Sequence, residues 1–241
     1  RTRRKARVGG LDKTALYTHF AGCARPDGKE AGDIHIVVFE HGWFWFIPFR
    51  DGVTSVGAVC SSAWIRDRRP GETLDEHFER TVASSPVAAA RLEQATRLRP
   101  VAALADFSYR IDQLAGDGWL FVGDAAGFLD PLFSTGAHLA IKGAHLAAGA
   151  IDAALARGRC TRDDFLAYER TLRYAVDLFL GIVQGFYRGP VQDAIFDPNQ
   201  RATLRKLITS ILSGDVFHDR EPPAWASFIR RQYPADVPEF A

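Results

Sequence analysis

The 241-residue chain contains no methionine, not even at its first position. That absence predicts that the chain starts inside a longer gene product and that a functional site is only half present. Cysteine is scarce: Cys23, Cys60 and Cys160 are an odd number at unrelated spacings, which fits neither a disulfide framework nor a zinc site. A reducing cytoplasm is the expected location. Neither sign of charge is in excess, since 30 Lys and Arg face 29 Asp and Glu for a net charge of +1. A nucleic-acid partner held by bulk charge is not expected, because such proteins present a clearly basic face. No stretch approaches the roughly 18 uninterrupted apolar residues of a membrane span, so no membrane partner is expected. The basic start Arg1-Thr2-Arg3-Arg4-Lys5 is not followed by the apolar core of a signal peptide. Lysine is rare, five residues against 25 arginines. Such a skew reflects genome base composition more often than phosphate binding.

What is present is globular. The chain is 47% hydrophobic, 24% charged and 12% aromatic, which gives enough apolar surface for a real core and excludes a disordered chain. The first half reads as strands at Ala15–Phe20, Asp33–Phe39, Gly42–Phe49 and Val53–Cys60. Aromatic and β-branched runs between Gly and Asp turns predict an antiparallel sheet. Asp51-Gly52 joins WFWFIPF to VTSVGAV as a β-hairpin. Helices follow at Thr73–Ala83, with Thr73 and Glu76 in capping-box spacing, and at Pro86–Gln94, with proline at the start. Strand signals return at Val101–Ile111 and Gly118–Val122. A small-residue helix spans about Gly136–Arg157, ended by Gly158. It is apolar nearly all round and is expected to lie buried against the sheet. A further helix capped by Thr161 and Asp164 runs to about Tyr187, a last one spans Asn199–Leu212, and a Pro-rich arm follows from Glu221. The fold expected is α+β: a substrate-side sheet region with two helices over 1–117, a ligand segment over 118–158, and C-terminal helices with the arm over 159–241.

Chemistry concentrates in Gly118–Gly136, GWLFVGDAAGFLDPLFSTG. An apolar strand ends in Gly123-Asp124, where a carboxylate is placed to accept from the hydroxyls of a ribose-like tail. Ala125, Ala126 and Gly127 are small enough for a ligand to approach the backbone. Ser134-Thr135-Gly136 opens the long helix, whose free N–H groups and dipole favour negative charge. Each part alone is an ordinary turn or cap. Their succession in one segment reads as a ligand site. In Trp43-Phe44-Trp45-Phe46-Ile47-Pro48, alternation sends Trp43, Trp45 and Ile47 to one face and Phe44 and Phe46 to the other. Pattern alone reads this as a central strand buried on both faces.

GDAAGFLDPLFSTGAHLA resembles the second flavin motif of FAD-dependent monooxygenase-fold enzymes, and within them the flavin-dependent halogenases. WFWFIP matches the halogenase signature W-x-W-x-I-P at every defined position. The resemblance implies that Gly123, Asp124, Gly127, Pro131, Ser134, Thr135 and Gly136 bind FAD, with Asp124 on the ribityl chain and Pro131 near the isoalloxazine. It implies that the amides of Thr135 and Gly136 hold chloride or bromide. Trp43 and Trp45 would form the catalytic wall that disfavours direct oxygen transfer to the organic substrate. Reduced FAD from a separate flavin reductase, O2 and halide would halogenate an electron-rich aromatic. Phe133 stands where tryptophan halogenases carry glutamate, which resembles the branch acting on phenolic or pyrrolic substrates, often tethered to a carrier protein. Two family features have no counterpart here: a G-x-G-x-x-G fingerprint and an essential lysine. Lys5, Lys13 and Lys29 lack its context. The alternatives within the fold are a hydroxylase and a geranylgeranyl-reductase type of enzyme. Outside it stands a non-catalytic fragment that binds a partner protein. His138 and His145 lack companions at metal-ligand spacing, so no metal is expected. Ser61, Ser62 and Ser134 form no G-x-S-x-G elbow. Arg66–Arg69 reads as a solvated loop.

Overall fold

A computed structural model describes residues 5–197 and 202–217, with residues 231, 234 and 235. The strands are β1 Lys5–Arg7, β2 Lys13–Ala21, β3 His35–Phe39, β4 Gly42–Pro48, β5 Val53–Ser61, β6 Thr96–Arg97, β7 Ala102–Ala105, β8 Tyr109–Ile111, β9 Ala115–Gly116, β10 Trp119–Leu120 and β11 Gly127–Phe128. The helices are α1 Ser62–Arg66, α2 Leu74–Ala83, α3 Pro86–Leu92, α4 Gly136–Ala156, α5 Arg162–Tyr187, α6 Pro190–Phe196 and α7 Ala202–Leu212. Every strand pair is antiparallel, and the α+β class expected from the sequence is what the chain adopts. The chain divides into two compact units, one made of 1–11 and 108–241, the other of 12–107. The contacts thus part at 107/108 rather than at 117 or 158, and the expected ligand segment and C-terminal helices share one unit.

The 12–107 unit is built on one sheet, ordered β3-β4-β5-β2-β6 with β7 also on β2. The anticipated hairpin closes with Pro48 opposite Thr54 and Phe49 N–H donating to the Val53 carbonyl at 2.7 Å. Alternation sorts its side chains as expected. Phe44 and Phe46 enter the core beside Phe20, Val56, Ala58 and Phe78 of α2. Their neighbours Trp43 and Trp45 lie with ring centroids 6.0 Å apart. Helix α2 starts with the predicted capping box, Thr73 Oγ1 accepting from Glu76 N–H while Glu76 accepts from Thr73 N–H. Arg66 closes α1 rather than lying in a loop, whereas Arg68 and Arg69 are exposed.

In the other unit β1, β8 and β11 form a three-stranded sheet, and β9 pairs with β10. The strand region expected over 101–111 holds two strands, β7 and β8, parted at Asp106, whose φ of 55° is left-handed. β7 on one side and β8 on the other belong to different units. The strand expected over 118–122 shrinks to Trp119–Leu120 before a 3-10 turn at Gly123–Ala126. α4 and α5 pack together, and α4 also packs on that turn. Leu172, Tyr168, Ala147 and Leu114 form the core between them. α5 supplies most of the burial, from Phe165 to Phe186. Its start at the Thr161–Asp164 capping box and its end at Tyr187 are those expected from the sequence.

One expectation is corrected. α4 is not buried against a sheet. Only Gly143, Ala147 and Ala154 of its residues are buried, while Ile141 is 73% and Leu155 63% exposed. The physical reason is that a helix apolar on every side needs two partners, and α5 covers one side. By length and composition α4 is also apolar enough to cross a membrane, although Lys142 and Asp152 interrupt it. The expected beginning of the last helix at Asn199 and most of the Pro-rich arm lie outside the described residues.

Candidate functional site

A cleft of about 630 Å3, part of it open to solvent, lies in the unit of 1–11 and 108–241. Gly123, Asp124, Gly127, Thr135 and Gly136 line it, together with Tyr109, Arg110, Leu139 and Arg173. The structure therefore brings the expected carboxylate and the start of the long helix onto one wall. Pro131 and Ser134 sit on the connecting loop and are not among the lining residues.

Local geometry explains how the segment reaches this place. Gly123 has a φ of 56°, and a Cβ there would meet only the Ala140 methyl at 3.6 Å. The left-handed backbone, more than space, makes glycine the suitable residue at the strand-to-turn corner. Tyr109 donates its hydroxyl to the Asp124 carbonyl at 2.7 Å, fixing the turn while leaving the Asp124 carboxylate free of that bond. Burial, then the neighbouring Asp124 charge, pushes the Tyr109 hydroxyl above its usual pKa, so it stays a donor at neutral pH. Lys5 Nζ lies 3.7 Å from the Tyr109 ring centroid.

The loop from 130 to 135 is held from below. The buried Asp130 carboxylate accepts from Leu132 N–H at 2.9 Å and from the Tyr187 hydroxyl at 3.1 Å. Ser134 N–H donates to the Pro131 carbonyl at 3.1 Å. Ser134 then takes a φ of 53°, left-handed for a non-glycine residue. Thr135 follows with a right-handed φ of −80° and ψ of −13°. Such alternation turns successive N–H groups into a common concavity suited to an anion. The first bond inside α4 runs from Leu139 N–H to the Thr135 carbonyl at 2.9 Å. The amides ahead of it have no acceptor within the helix, and the helix dipole adds to their pull.

The sequence reading missed the basic side of the cleft. The buried Arg110 guanidinium pairs with Asp177 of α5. Arg173 is held by Glu169 at 2.8 Å and donates to the Asp112 carbonyl at 2.8 Å. Neither arginine, nor Tyr109, nor the Asp130–Tyr187 pair stands in a motif, so only the folded chain reveals them. Trp43 and Trp45 lie in the 12–107 unit. Trp43 is buried, and Trp45 is half-buried beside Tyr17 with its Nε1–H on Ser55 Oγ at 3.2 Å. His138 packs edge-on against Phe179 and Phe217, and no metal-holding group occurs among the described residues.

Comparison with known proteins places this geometry in a family. The tryptophan halogenase family model matches residues 31–212. The chain belongs to the tryptophan halogenase family. It is 29% identical over 225 residues, 88% of its length, to a 1H-pyrrole-2-carbonyl-(peptidyl-carrier protein) chlorinase of Pseudomonas fluorescens. It is 32% identical over 206 residues, 84% of its length, to the corresponding brominase of Pseudoalteromonas luteoviolacea. Each match spans 49% of the relative, so the chain spans about half the length of these halogenases. Among solved structures, the flavin-dependent brominase Bmp2 superposes with a TM-score of 0.84 at 26% identity, covering 95% of this chain and 57% of that one. The myxobacterial chondrochloren halogenase CndH gives 0.68 at 28% identity, covering 95% and 50%. The recognition made from the two sequence motifs and the fold class are both upheld, and the family is one of FAD-dependent oxidoreductases.

Proposed function

We propose that this chain is the substrate-side part of an FAD-dependent halogenase acting on an electron-rich phenolic or pyrrolic ring, free or tethered to a carrier protein. The observation that carries this reading is the shared cleft wall, on which Asp124 and the first turn of α4 stand together. The residues fit a flavin tail: small side chains at Gly123, Ala126 and Gly127, one acidic acceptor, and amides facing the same space. Asp124 accepts from ribityl hydroxyls. The amides of Thr135 and Gly136 hold chloride or bromide, and the Ser134 turn aims them. Pro131 and Ser134 act by shaping the loop. Tyr109 and the Asp130–Tyr187 pair keep the two halves of the motif in register. Trp43 and Trp45 are assigned to the wall that disfavours oxygen transfer to substrate, on the strength of their signature. Bound FAD, reduced by a separate flavin reductase in the cytoplasm, supplies the oxidising power with O2. Support for the pyrrole and carrier choice comes from the chlorinase and brominase relatives and from Phe133.

The test is a flavin titration of the intact gene product and its Asp124→Ala variant. Losing a charged hydrogen bond, worth about 1.5–3 kcal/mol, should weaken binding roughly 10- to 150-fold. Unchanged affinity would refute the placement of FAD. Product mass with and without halide then separates halogenation from hydroxylation: a hydroxylated product under both conditions overturns the halogenase assignment.

A further inference from the structure

Six arginines among the described residues are buried or half-buried: Arg25, Arg80, Arg91, Arg97, Arg110 and Arg173. Four of them hold a carboxylate. Arg80 holds Glu72, Arg97 holds Asp75, Arg110 holds Asp177 and Arg173 holds Glu169. Arg25 and Arg91 hold none among the described residues, and these two line one groove. A cation withdrawn from water without an anion beside it is costly, so the pairing of these two exceptions in one place calls for a reason.

The groove, about 860 Å3 and largely open to solvent, lies in the 12–107 unit between residues 24–26 and α3. Arg25 is fixed there by neutral acceptors. Its Nε and Nη2 donate to Thr54 Oγ1 at 3.2 and 2.8 Å, its Nη2 also to the Val53 carbonyl at 2.6 Å, and its Nη1 to the Phe49 carbonyl at 3.0 Å. Phe49 and Val53 flank the Asp51-Gly52 turn, so this guanidinium sits at the end of the β4–β5 hairpin. Arg91 is set by His35 Nδ1 at 3.2 Å and lies 5.4 Å from the Phe46 ring centroid. Ala24 N–H donates to the Arg91 carbonyl at 3.0 Å, which ties the two segments together. Burial raises the pKa of Cys23, and Thr54, Arg25 and Arg91 each oppose that rise, so both positive charges reach the same sulfur. Each guanidinium has five donors. Arg25 uses four and Arg91 one, which leaves one and four for a ligand.

We propose that this groove is a binding site for a phosphate monoester carried on a small apolar group. The site is separate from the flavin reading, since no residue of the groove lines the cleft of Asp124. Charge chooses the head group. Two cations are matched by a monoester, which carries about −1.5 to −2 at neutral pH and offers three free oxygens to donors arriving from different angles. A carboxylate brings one charge and two coplanar oxygens, so one arginine would stay unneutralised. The rest of the lining chooses what the phosphate is attached to. Pro26, Pro86, Val87 and Ala90 carry no polar side-chain atom, and Val87 is 55% exposed. An apolar group laid on them is withdrawn from water together with them.

The probe is phenyl phosphate, titrated calorimetrically into the gene product that contains these residues, in roughly 0.15 M salt so that loose surface attraction is screened. A Kd below about 1 mM is expected. Arg91→Gln removes one charge and its donors and should weaken binding at least about 10-fold. Val87→Glu places an acid four residues ahead of Arg91 on α3, where the two pair along the helix. That change supplies the missing anion from within the chain and should weaken phenyl phosphate by a similar factor, with the circular dichroism spectrum unchanged. Should Arg91→Gln fail to fold, Val87→Glu decides alone. Inorganic phosphate lacks the apolar group and benzoate lacks the second charge, so each should bind at least about 10-fold more weakly than phenyl phosphate. Absence of binding overturns the proposal, and so does equal affinity for benzoate or for inorganic phosphate. Binding that is undiminished by Val87→Glu puts the anion elsewhere, the cleft of Asp124 included, and overturns it as well.

Discussion

Gly57 of β5 is the position where one added carbon should do most harm. Its φ is not left-handed, so alanine there meets no backbone penalty. In a strand such a change would ordinarily stabilise the fold by about 0.4–1 kcal/mol through the unfolded chain. Here the new Cβ would enter the space of Trp45 atoms Cζ2, Cη2 and Cε2, because the indole lies across Gly57 from its opposite register position on β4. Trp45 cannot swing away freely. Its Nε1–H is bonded to Ser55 Oγ, and its ring lies between Tyr17, with centroids 6.2 Å apart, and Trp43, at 6.0 Å. Overpacking of this kind costs about 1–3 kcal/mol, which outweighs the backbone gain. Gly57→Ala should therefore lower stability by about 1–2 kcal/mol, read by urea denaturation followed by circular dichroism. Replacing the indole removes the obstacle. In a Trp45→Leu background the same Gly57→Ala change should be neutral or stabilising, giving a coupling of about 1–3 kcal/mol in the double-mutant cycle. A Gly57→Ala variant that gains stability in the native background, or loses the same amount in both, refutes the steric argument.

The remaining predictions concern charge and access. His77 is fully buried, and its Nδ1 lies 2.8 Å from the Arg80 guanidinium and 3.3 Å from Glu72 Oε2. Burial, then Arg80, holds the His77 pKa below its usual 6.5, while hydrogen bonds from Arg80 hold Glu72 at about 2. Both pKa values fall on folding, so both contributions are present at neutral pH. The His77 share is lost as pH drops below about 6.5 and the Glu72 share between about 4.5 and 2. Melting temperature should fall along that course, and a His77→Phe variant that keeps the full slope between pH 6.5 and 5 would contradict it. Asp177→Ala strips the buried Arg110 of its ion-pair partner and should cost about 3 kcal/mol in denaturant unfolding, the low end for a buried pair because Asp177 is partly exposed. A loss under 0.5 kcal/mol would show the pair to be dispensable. Cys23 and Cys60 are buried, and burial pushes the Cys60 thiol up to about 12. Native protein at pH 8 should thus show one fast thiol with an aromatic disulfide reagent, Cys160, and three after unfolding. Two or more fast thiols in the native state would be inconsistent with that core.

Much of this architecture is legible where a short-range rule decides it. Asp51-Gly52 between two aromatic and β-branched runs specifies a hairpin, because turn chemistry and strand period agree there. Thr73 with Glu76, and Thr161 with Asp164, mark helix starts because two orphan amides are satisfied within three residues. The cleft is legible for a different reason: its ligand-facing parts are contiguous, from Gly123 to Gly136. What stays hidden depends on distance along the chain. Nothing local announces that Asp106 adopts a left-handed turn and divides one apparent strand region between two units. Arg110 and Asp177 meet across 67 residues, and Tyr187 reaches Asp130 across 57. α4 reads as buried because period and composition report that a helix is apolar, not how many of its sides its neighbours cover.

The placement of β1 has a consequence for how the molecule is made. Lys5–Arg7 pairs with Tyr109–Ile111, and all of residues 12–107 are threaded between them. During synthesis β1 must wait for β8 for roughly 5–20 s while residues 12–107 are made. The insert, by contrast, draws β3, β4 and β5 from neighbouring stretches and can complete its sheet as it emerges. Residues 12–107 can therefore form their sheet before β1, made ahead of them, meets its partner β8.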